Sequence, residues 1–215
     1  MRLTRERAAG NRRAILEAAG RLFRERGFDG VGVADLMRSA GFTHGGFYNH
    51  FSSKEALAAE ACAAAIDRSN AGLAADLAAG EDSGGWARFV DRYLSTRHRD
   101  DPGGGCTMTA LAGDASRQAA EVQESFAAGI RAVLDLLAKR LPGPAPAARA
   151  WSEIVGALIL SRAVAAAGPQ LADAILDASR SGLRAVRPSP GARPPSAPPA
   201  SARSGRRPGR ARPAR

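Results

Sequence analysis

The sequence contains little cysteine and no long apolar run. Its two cysteines, Cys62 and Cys106, are too few for a disulfide scaffold. No stretch approaches the roughly 20 apolar residues that are needed to cross a bilayer. The charged N-terminus, "MRLTRERAAGNRRAIL", is unlike a secretory signal. Strand-like alternation is also absent, since most apolar residues are Ala, Leu, Val and Ile. The sequence therefore predicts an all-α cytoplasmic protein without a membrane span.

The net charge of +10 is unevenly distributed along the chain. Residues 1–53 carry +4, residues 54–186 carry −2 and residues 187–215 carry +8. A basic N-terminal segment on a slightly acidic body indicates that a polyanion is contacted at one end. The 187–215 tail is almost entirely Pro, Ala, Ser, Gly and Arg, so it is expected to be disordered. Its arginines either add salt-sensitive DNA affinity or form a passive extension, and the scarcity of lysine elsewhere favours the second reading.

Hydrophobic spacing predicts about nine helices. The first spans residues 11–27, with Asn11 as its N-cap and Gly27 as its stop. A long helix is expected from Lys54 to about residue 79, capped by Ser52 or Ser53. The other expected helices span residues 33–41, 44–51, 86–99, 106–115, 116–141, 147–167 and 170–186.

The stretch "GFTHGGFYNHFSSKEAL", residues 41–57, holds two of the three histidines. Three short helices with a Gly-Phe-Thr connection have the proportions of a helix-turn-helix, whose second helix enters the DNA major groove by its N-terminal residues. Thr43 is placed to cap that helix and meet a phosphate. Gly45 and Gly46 each cost roughly 1 kcal/mol in helix propensity, which suggests a compensating close approach of DNA. Phe47 and Phe51, one turn apart, are expected to anchor the helix in the core.

The segment "ILEAAGRLFRERGFDGVGVADLMRSAGFTHGGFYNHFSSKEAL" resembles the N-terminal DNA-binding domain of the TetR family of bacterial transcriptional regulators. The resemblance covers residues 12–57 without a gap. It implies a helix-turn-helix domain in residues 1–53 and a helical ligand-binding and dimerisation domain in residues 54–186. It also implies a homodimer that represses a promoter and releases DNA when a small molecule enters the C-terminal domain. One departure is Gly32-Val33, because many members have a threonine at the start of this second helix.

The resemblance assigns DNA contacts position by position. It implies phosphate contacts from Thr43, Tyr48, His50 and Lys54. It implies base-edge contacts from His44, Gly45 and Asn49, and Arg12 completes the predicted DNA-binding set. Two such helices related by a two-fold axis would read a palindrome in successive major grooves, about 34 Å apart.

The body of the chain carries two predicted apolar surfaces. The first, in the eighth predicted helix, is broader than a small core needs. The resemblance implies that this surface pairs with a second subunit, and the alternative is burial within one subunit. Its residues are Trp151, Ile154, Val155, Leu158 and Ile159. The second would line a ligand pocket among the fourth to seventh predicted helices, although each residue is equally plausible core. Its residues are Trp86, Phe89, Tyr93, Met108, Phe126 and Ile130. The inducer is not identified by either surface.

Cys106 follows "DDPGGG" and begins a short helix, where unpaired N–H groups and the helix dipole would stabilise a thiolate. A Gly-Cys pair at the start of the sixth predicted helix also resembles a TetR subset that includes electrophile- and oxidant-responsive repressors. The alternative is a small buried residue at a helix junction. Cys62, within an alanine-rich helix, is expected to be inert packing.

Three other classes of function compete with a ligand-responsive regulator. A nucleoid-type protein would bind DNA mainly through its basic tail. An enzyme with Cys106 as nucleophile would need a base, for which His98 is the nearby candidate. A metal site at His44 and His50 is disfavoured because six residues separate them and no HExxH or Cys/His cluster accompanies them. No G-x-S-x-G hydrolase elbow occurs, and the sequence implies no cofactor.

Overall fold

The fold is all-helical, as predicted. A computed structural model describes residues 5–78 and 84–186, so the predicted disordered tail lies outside the described residues. No strand occurs within those two ranges, and none of their helices is long and apolar enough to cross a membrane. In chain order the elements are α1 (Arg5–Arg26), α2 (Val33–Ser39), a 3-10 helix (His44–Asn49), α3 (Lys54–Ala78), α4 (Gly84–Tyr93), α5 (Thr96–Asp100), α6 (Thr107–Ala115), α7 (Ala120–Ala138), α8 (Pro144–Val164) and α9 (Pro169–Ala185).

Helix α1 starts earlier than the sequence predicts. It begins at Arg5, so Asn11 lies inside the helix and the prediction that it caps the helix is wrong. The preceding segment, "RERAAG", consists mostly of good helix formers with Glu6 in the first turn, where a negative charge favours the helix dipole. The predicted stop is confirmed, since Gly27 adopts a left-handed φ of 74° and donates its N–H to the Phe23 carbonyl.

Helix α3 connects the N-terminal helices to the rest of the chain. Ser53 caps it, because its Oγ accepts the Ala56 N–H at 3.0 Å. One face of α3 packs on α1 and the other packs on α7. The approach to α7 is close at Gly129, where any Cβ would collide with the side chain of Ile66.

The predicted helix 86–99 is divided into α4 and α5. Ser95 causes the break: its backbone is extended, and its Oγ accepts the His98 N–H at 3.2 Å as the N-cap of α5. Helix α8 starts at Pro144, three residues before the predicted start, because proline is tolerated in the first helical turn. Helix α7 starts at Ala120, after the predicted 116.

Candidate DNA-binding surface and ligand cavity

The 3-10 helix and its flanks form an exposed surface, which we call the recognition surface. Its predicted DNA-contacting residues Thr43, His44, Gly45, Tyr48 and Asn49 are all exposed. Thr43 is the N-cap residue, but its side chain makes no capping bond, so that part of the prediction is wrong. The first turn is instead closed by the backbone, since the Gly46 N–H donates to the Thr43 carbonyl at 3.1 Å. The Thr43 hydroxyl is therefore left to face outward.

Aromatic side chains hold the recognition surface on the core. Phe47 and Phe51 are buried, as predicted, with their ring centroids 5.8 Å apart. Tyr48 is 70 % exposed, and its ring meets Phe47 edge-on at 5.2 Å. His50 is half-buried against Phe42 and Phe51, with centroids 6.4 and 6.3 Å away. Tyr48 is thus a large aromatic side chain that the fold supports without burying it.

Gly45 lies on this surface although the fold does not require glycine there. Its φ is not in the left-handed region, and a Cβ built on it would meet no atom within 4 Å. A Cβ at Gly46 would make only ordinary contacts, with Met37 and Thr43 at 3.8 and 3.9 Å. Neither the backbone conformation nor internal packing therefore requires the glycine at position 45.

Arg12 makes two contacts within the chain. Its Nη1 and Nη2 donate to the two carboxylate oxygens of Glu60 at 2.6 and 2.7 Å. Its guanidinium also lies 4.4 Å from the ring centroid of Phe51. These two contacts tie α1 to α3, and a DNA contact from Arg12 stays a prediction.

Lys54 lies at the first position of α3, at the end of the loop that follows the recognition surface. It is half-buried, and among the described residues it has no ion-pair partner. No group of three His, Cys, Asp or Glu side chains able to hold a metal occurs in the described part of the chain, including around His44 and His50.

Residues 15–61 match the profile of the family described as bacterial regulatory proteins, tetR family. The part of the chain that carries the recognition surface is therefore similar to the tetR family of regulatory proteins. It is 44% identical over 50 residues to YdgC of Bacillus subtilis (strain 168), described as an uncharacterized HTH-type transcriptional regulator. That match spans 23% of this chain and only 26% of the relative's length.

Solved structures share the fold of this chain over most of its length. The reduced form of Escherichia coli NemR superposes with a TM-score of 0.71 at 20% identity, covering 85% of this chain and 99% of that one. A TetR-family regulator from Agrobacterium tumefaciens gives a TM-score of 0.69 at 19% identity, covering 84% and 99%. At these identities the likeness concerns the fold alone.

The body of this protein contains a cavity of about 420 Å³ that is open to the surface. Of the six residues predicted to line a pocket, Phe89 and Tyr93 do so. Trp151, predicted for the subunit interface, is a third aromatic in the wall and meets Tyr93 edge-on at 5.6 Å. The remaining wall is mostly polar: Ser69, Asn70, Leu73, Arg92, Ser95, Arg97, His98, Asp101, Gly104, Gly105 and Cys106.

The other four predicted pocket residues do not reach this cavity. Met108 and Phe126 are buried in the core. Trp86 is buried too, with its indole N–H donated to the Leu183 carbonyl at 2.8 Å. Ile130 is instead 36 % exposed on the outer face of α7. Sequence periodicity marks an apolar side chain without saying whether it faces core, cavity or surface, which explains these errors.

Cys106 lies in the cavity wall at the N-cap of α6. Its backbone N–H donates to His98 Nε2 at 3.0 Å, and His98 Nδ1–H donates to the Tyr93 carbonyl at 2.7 Å. Both imidazole nitrogens are thereby engaged with the backbone in the neutral ring, and burial lowers the pKa of His98. His98 is thus not free to act as a base toward the Cys106 thiol, so the geometry does not support a nucleophilic enzyme.

Sequence reasoning missed the two arginines on either side of this segment. Arg162 donates to the carbonyls of His98 and Arg99 and to Thr109 Oγ1, at 2.7, 3.0 and 3.1 Å. Arg24 of α1 reaches the segment from the other side. Burial lowers the pKa of both guanidinium groups. Only the run of three glycines at 103–105 signals this close packing in the sequence.

Some residues of the predicted dimer surface are buried within the chain and others are exposed. Ile154 and Leu158 are fully buried within the chain and Trp151 lines the cavity, so these three predictions for the interface are wrong. They face inward because α8 lies between α7, α9 and α6 and needs an apolar stripe for each neighbour. Ile159 is 39 % exposed and Val155 is half-buried.

Proposed function

We propose that this protein is a homodimeric DNA-binding transcriptional regulator that represses from a palindromic operator and is released by a small molecule. Residues 1–53 are its DNA-binding domain, and residues 54–186 bind the inducer and the second subunit. A protein of this kind acts in the cytoplasm, at the nucleoid. The single observation that carries the proposal is the glycine at position 45, unexplained by the fold and set among exposed polar and aromatic side chains.

DNA contact follows from the chemistry of the recognition surface. The exposed groups near Gly45 are the Thr43 hydroxyl, the His44 imidazole, the Tyr48 phenol and the Asn49 amide. Hydroxyl and phenol groups donate to phosphate oxygens, whereas an amide can bond a base edge in the major groove. A glycine between them lets the backbone approach the duplex without displacing these groups.

Dimerisation is supported by the apolar residues that the chain leaves uncovered. Five large apolar side chains in the described ranges are exposed, and three of them lie on α8 and α9: Ile159 at 39 %, Leu160 at 58 % and Leu171 at 56 %. Such a grouping marks an interaction surface. We expect Leu160→Glu to convert a dimer into monomers in analytical ultracentrifugation and to weaken operator binding. Ile130→Glu, on α7, serves as the matched control and should leave the dimer intact.

Ligand response is supported by the cavity. Its volume of about 420 Å³ lies in the range of small-molecule sites, and it combines three aromatic rings with a polar rim. Cys106 in its wall is the attachment point for an electrophilic inducer. Burial raises the pKa of the other thiol, Cys62, to about 12, which keeps that thiol protonated and unreactive.

The test is a titration of the purified protein onto DNA from upstream of its own gene, with unrelated DNA of equal length as competitor. We expect saturable binding that survives competition and persists in a variant ending at residue 186. Binding of both DNAs with equal affinity, lost when the tail is removed, would contradict the proposal and favour a nucleoid-type protein.

A further inference from the structure

One short segment, Gly103–Cys106, contacts both the ligand cavity and the DNA-binding half of the protein. Gly104, Gly105 and Cys106 line the cavity. Gly103, the preceding residue, is buried against α1, where any Cβ would collide with Glu25. A displacement on the cavity side therefore reaches α1 through a single peptide unit.

Arg24 makes the polar contact across this junction. Its Nε and Nη2 both donate to the Gly103 carbonyl, at 2.8 and 2.5 Å, and its Nη1 lies 3.5 Å from Thr107 Oγ1. Arg24 is half-buried and has no carboxylate partner among the described residues. The Arg24 guanidinium is thus hydrogen-bonded to the backbone just before α6, so these bonds depend on the position of the Gly103 carbonyl.

Arg24 is also fixed firmly to the DNA-binding helices. It lies in the last turn of α1, beside fully buried Phe23, whose ring packs on Phe28 at 5.3 Å. Gly27 then turns the chain through a left-handed conformation toward α2. Because Phe23 and Phe28 are buried on the two sides of this turn, movement of the Arg24 end of α1 reorients the segment that leads to the recognition surface.

The cavity side of the segment has little room for displacement. A Cβ at Gly105 would lie 2.8 Å from the His98 ring and 3.0 Å from Arg162 Nη2. His98 cannot swing away, since both of its ring nitrogens are hydrogen-bonded to backbone. A group that enters here must push the segment itself, and a shift of about 1 Å is enough to stretch a normal hydrogen bond beyond its useful range.

We propose that the Arg24–Gly103 contact is the link through which occupancy of the cavity changes the affinity for DNA. This inference rests on the proposed function, since it presumes a DNA-binding protein with a ligand in this cavity. Arg24 is a positioning residue in this scheme and touches neither DNA nor ligand.

A double-mutant cycle on the full-length protein tests the link without knowledge of the inducer. Gly105→Ala perturbs the segment from the cavity side, and Arg24→Gln removes the link. We expect Gly105→Ala to weaken operator binding about tenfold in the wild-type background, a common size for allosteric coupling, and to have little effect in the Arg24→Gln background. Arg26→Gln is the matched control, because Arg26 lies in the same last turn of α1 and is exposed.

Additive effects of the two substitutions on DNA affinity would overturn the proposal, as would an unchanged affinity in Gly105→Ala. Gly113→Ala, whose added Cβ meets no atom within 4 Å, controls for a general effect of alanine in this region. If Gly105→Ala does not fold, N-ethylmaleimide on Cys106 is the second perturbation. Modified wild type should then lose DNA while equally modified Arg24→Gln retains it; equal release from both would refute the link.

A readout independent of DNA separates this inference from the proposed function. Amide hydrogen exchange of a peptide spanning residues 20–30 is compared before and after N-ethylmaleimide modification, in wild type and Arg24→Gln. A change in wild type alone supports the link even if no operator is bound, in which case only the proposed function fails. The same change in both proteins, or none in wild type, contradicts the link.

Discussion

The substitution Gly45→Ala should stabilise the fold but weaken DNA binding, so it distinguishes an effect on folding from an effect on DNA contact. Residue 45 is exposed, its φ is not in the left-handed region, and the position of its added Cβ is open space. Alanine restricts the unfolded chain more than glycine, so it should stabilise the fold by about 0.4–1 kcal/mol. For a chain of this size that corresponds to a rise in melting temperature of about 1–4 °C.

The same methyl group should weaken DNA binding. If the backbone at position 45 approaches the duplex to van der Waals contact, the added carbon overpacks the interface at a cost of about 1–3 kcal/mol. Since each 1.4 kcal/mol is a factor of about ten, the dissociation constant should rise between about 5-fold and 150-fold.

Thermal denaturation by circular dichroism and DNA titration by fluorescence anisotropy measure the two effects on the same preparation. Gly113→Ala on α6 is the control, since its Cβ also meets nothing within 4 Å. It should raise the melting temperature without changing DNA affinity. A Gly45→Ala protein that binds DNA as tightly as the wild type would refute the argument that DNA contact explains this glycine.

Three further predictions concern the structure around the two sites. Arg12→Ala should lower the free energy of unfolding by about 1 kcal/mol, through loss of the Glu60 ion pair and the Phe51 ring contact, as measured by urea denaturation. Stability should fall as the pH drops below His98's ordinary pKa of 6.5: burial lowers its folded-state pKa, so the unfolded chain binds the proton first. N-ethylmaleimide should modify Cys106 well before Cys62, as read by peptide mass spectrometry, since burial raises the pKa of Cys62 to about 12.

Each of these has a result that would contradict it. Full stability in Arg12→Ala would show that the contacts with Glu60 and Phe51 do not stabilise the fold. His98→Gln should flatten the loss of stability at low pH relative to the wild type, whereas an unchanged pH profile would exclude His98 as its cause. Modification of Cys62 first would mean that the cavity does not admit the reagent to Cys106.

The recognition surface could be predicted from sequence because its signals are local. Glycines, a left-handed stop and aromatic residues one turn apart determine the connection between α2 and the 3-10 helix. Gly41 has the left-handed φ of 81° that such a turn requires, and Phe47 and Phe51 are buried as their spacing predicts. Capping of α3 by Ser53 is also predictable from the local sequence, since its partner, the Ala56 N–H, is three residues away.

The cavity and the interdomain contacts could not be predicted because they join distant parts of the chain. Nothing in the local sequence distinguishes Arg12, paired with Glu60, from Arg24, bonded to the Gly103 carbonyl. The same applies to Leu158 and Leu160, since an apolar helix in contact with several neighbours has no single buried stripe that periodicity can reveal. The break at Ser95 could not be predicted because this N-cap interrupts the helical pattern without a glycine or proline.

The most direct test of the central claim is the affinity of the full-length protein for DNA from upstream of its own gene, compared with Tyr48→Phe combined with Lys54→Ala. Lys139→Ala, which replaces the only other lysine, is the control. We predict that the double variant folds normally and loses affinity by about tenfold or more, because each lost phosphate contact removes binding energy. Unchanged affinity in a folded double variant would contradict the assignment of this surface to DNA.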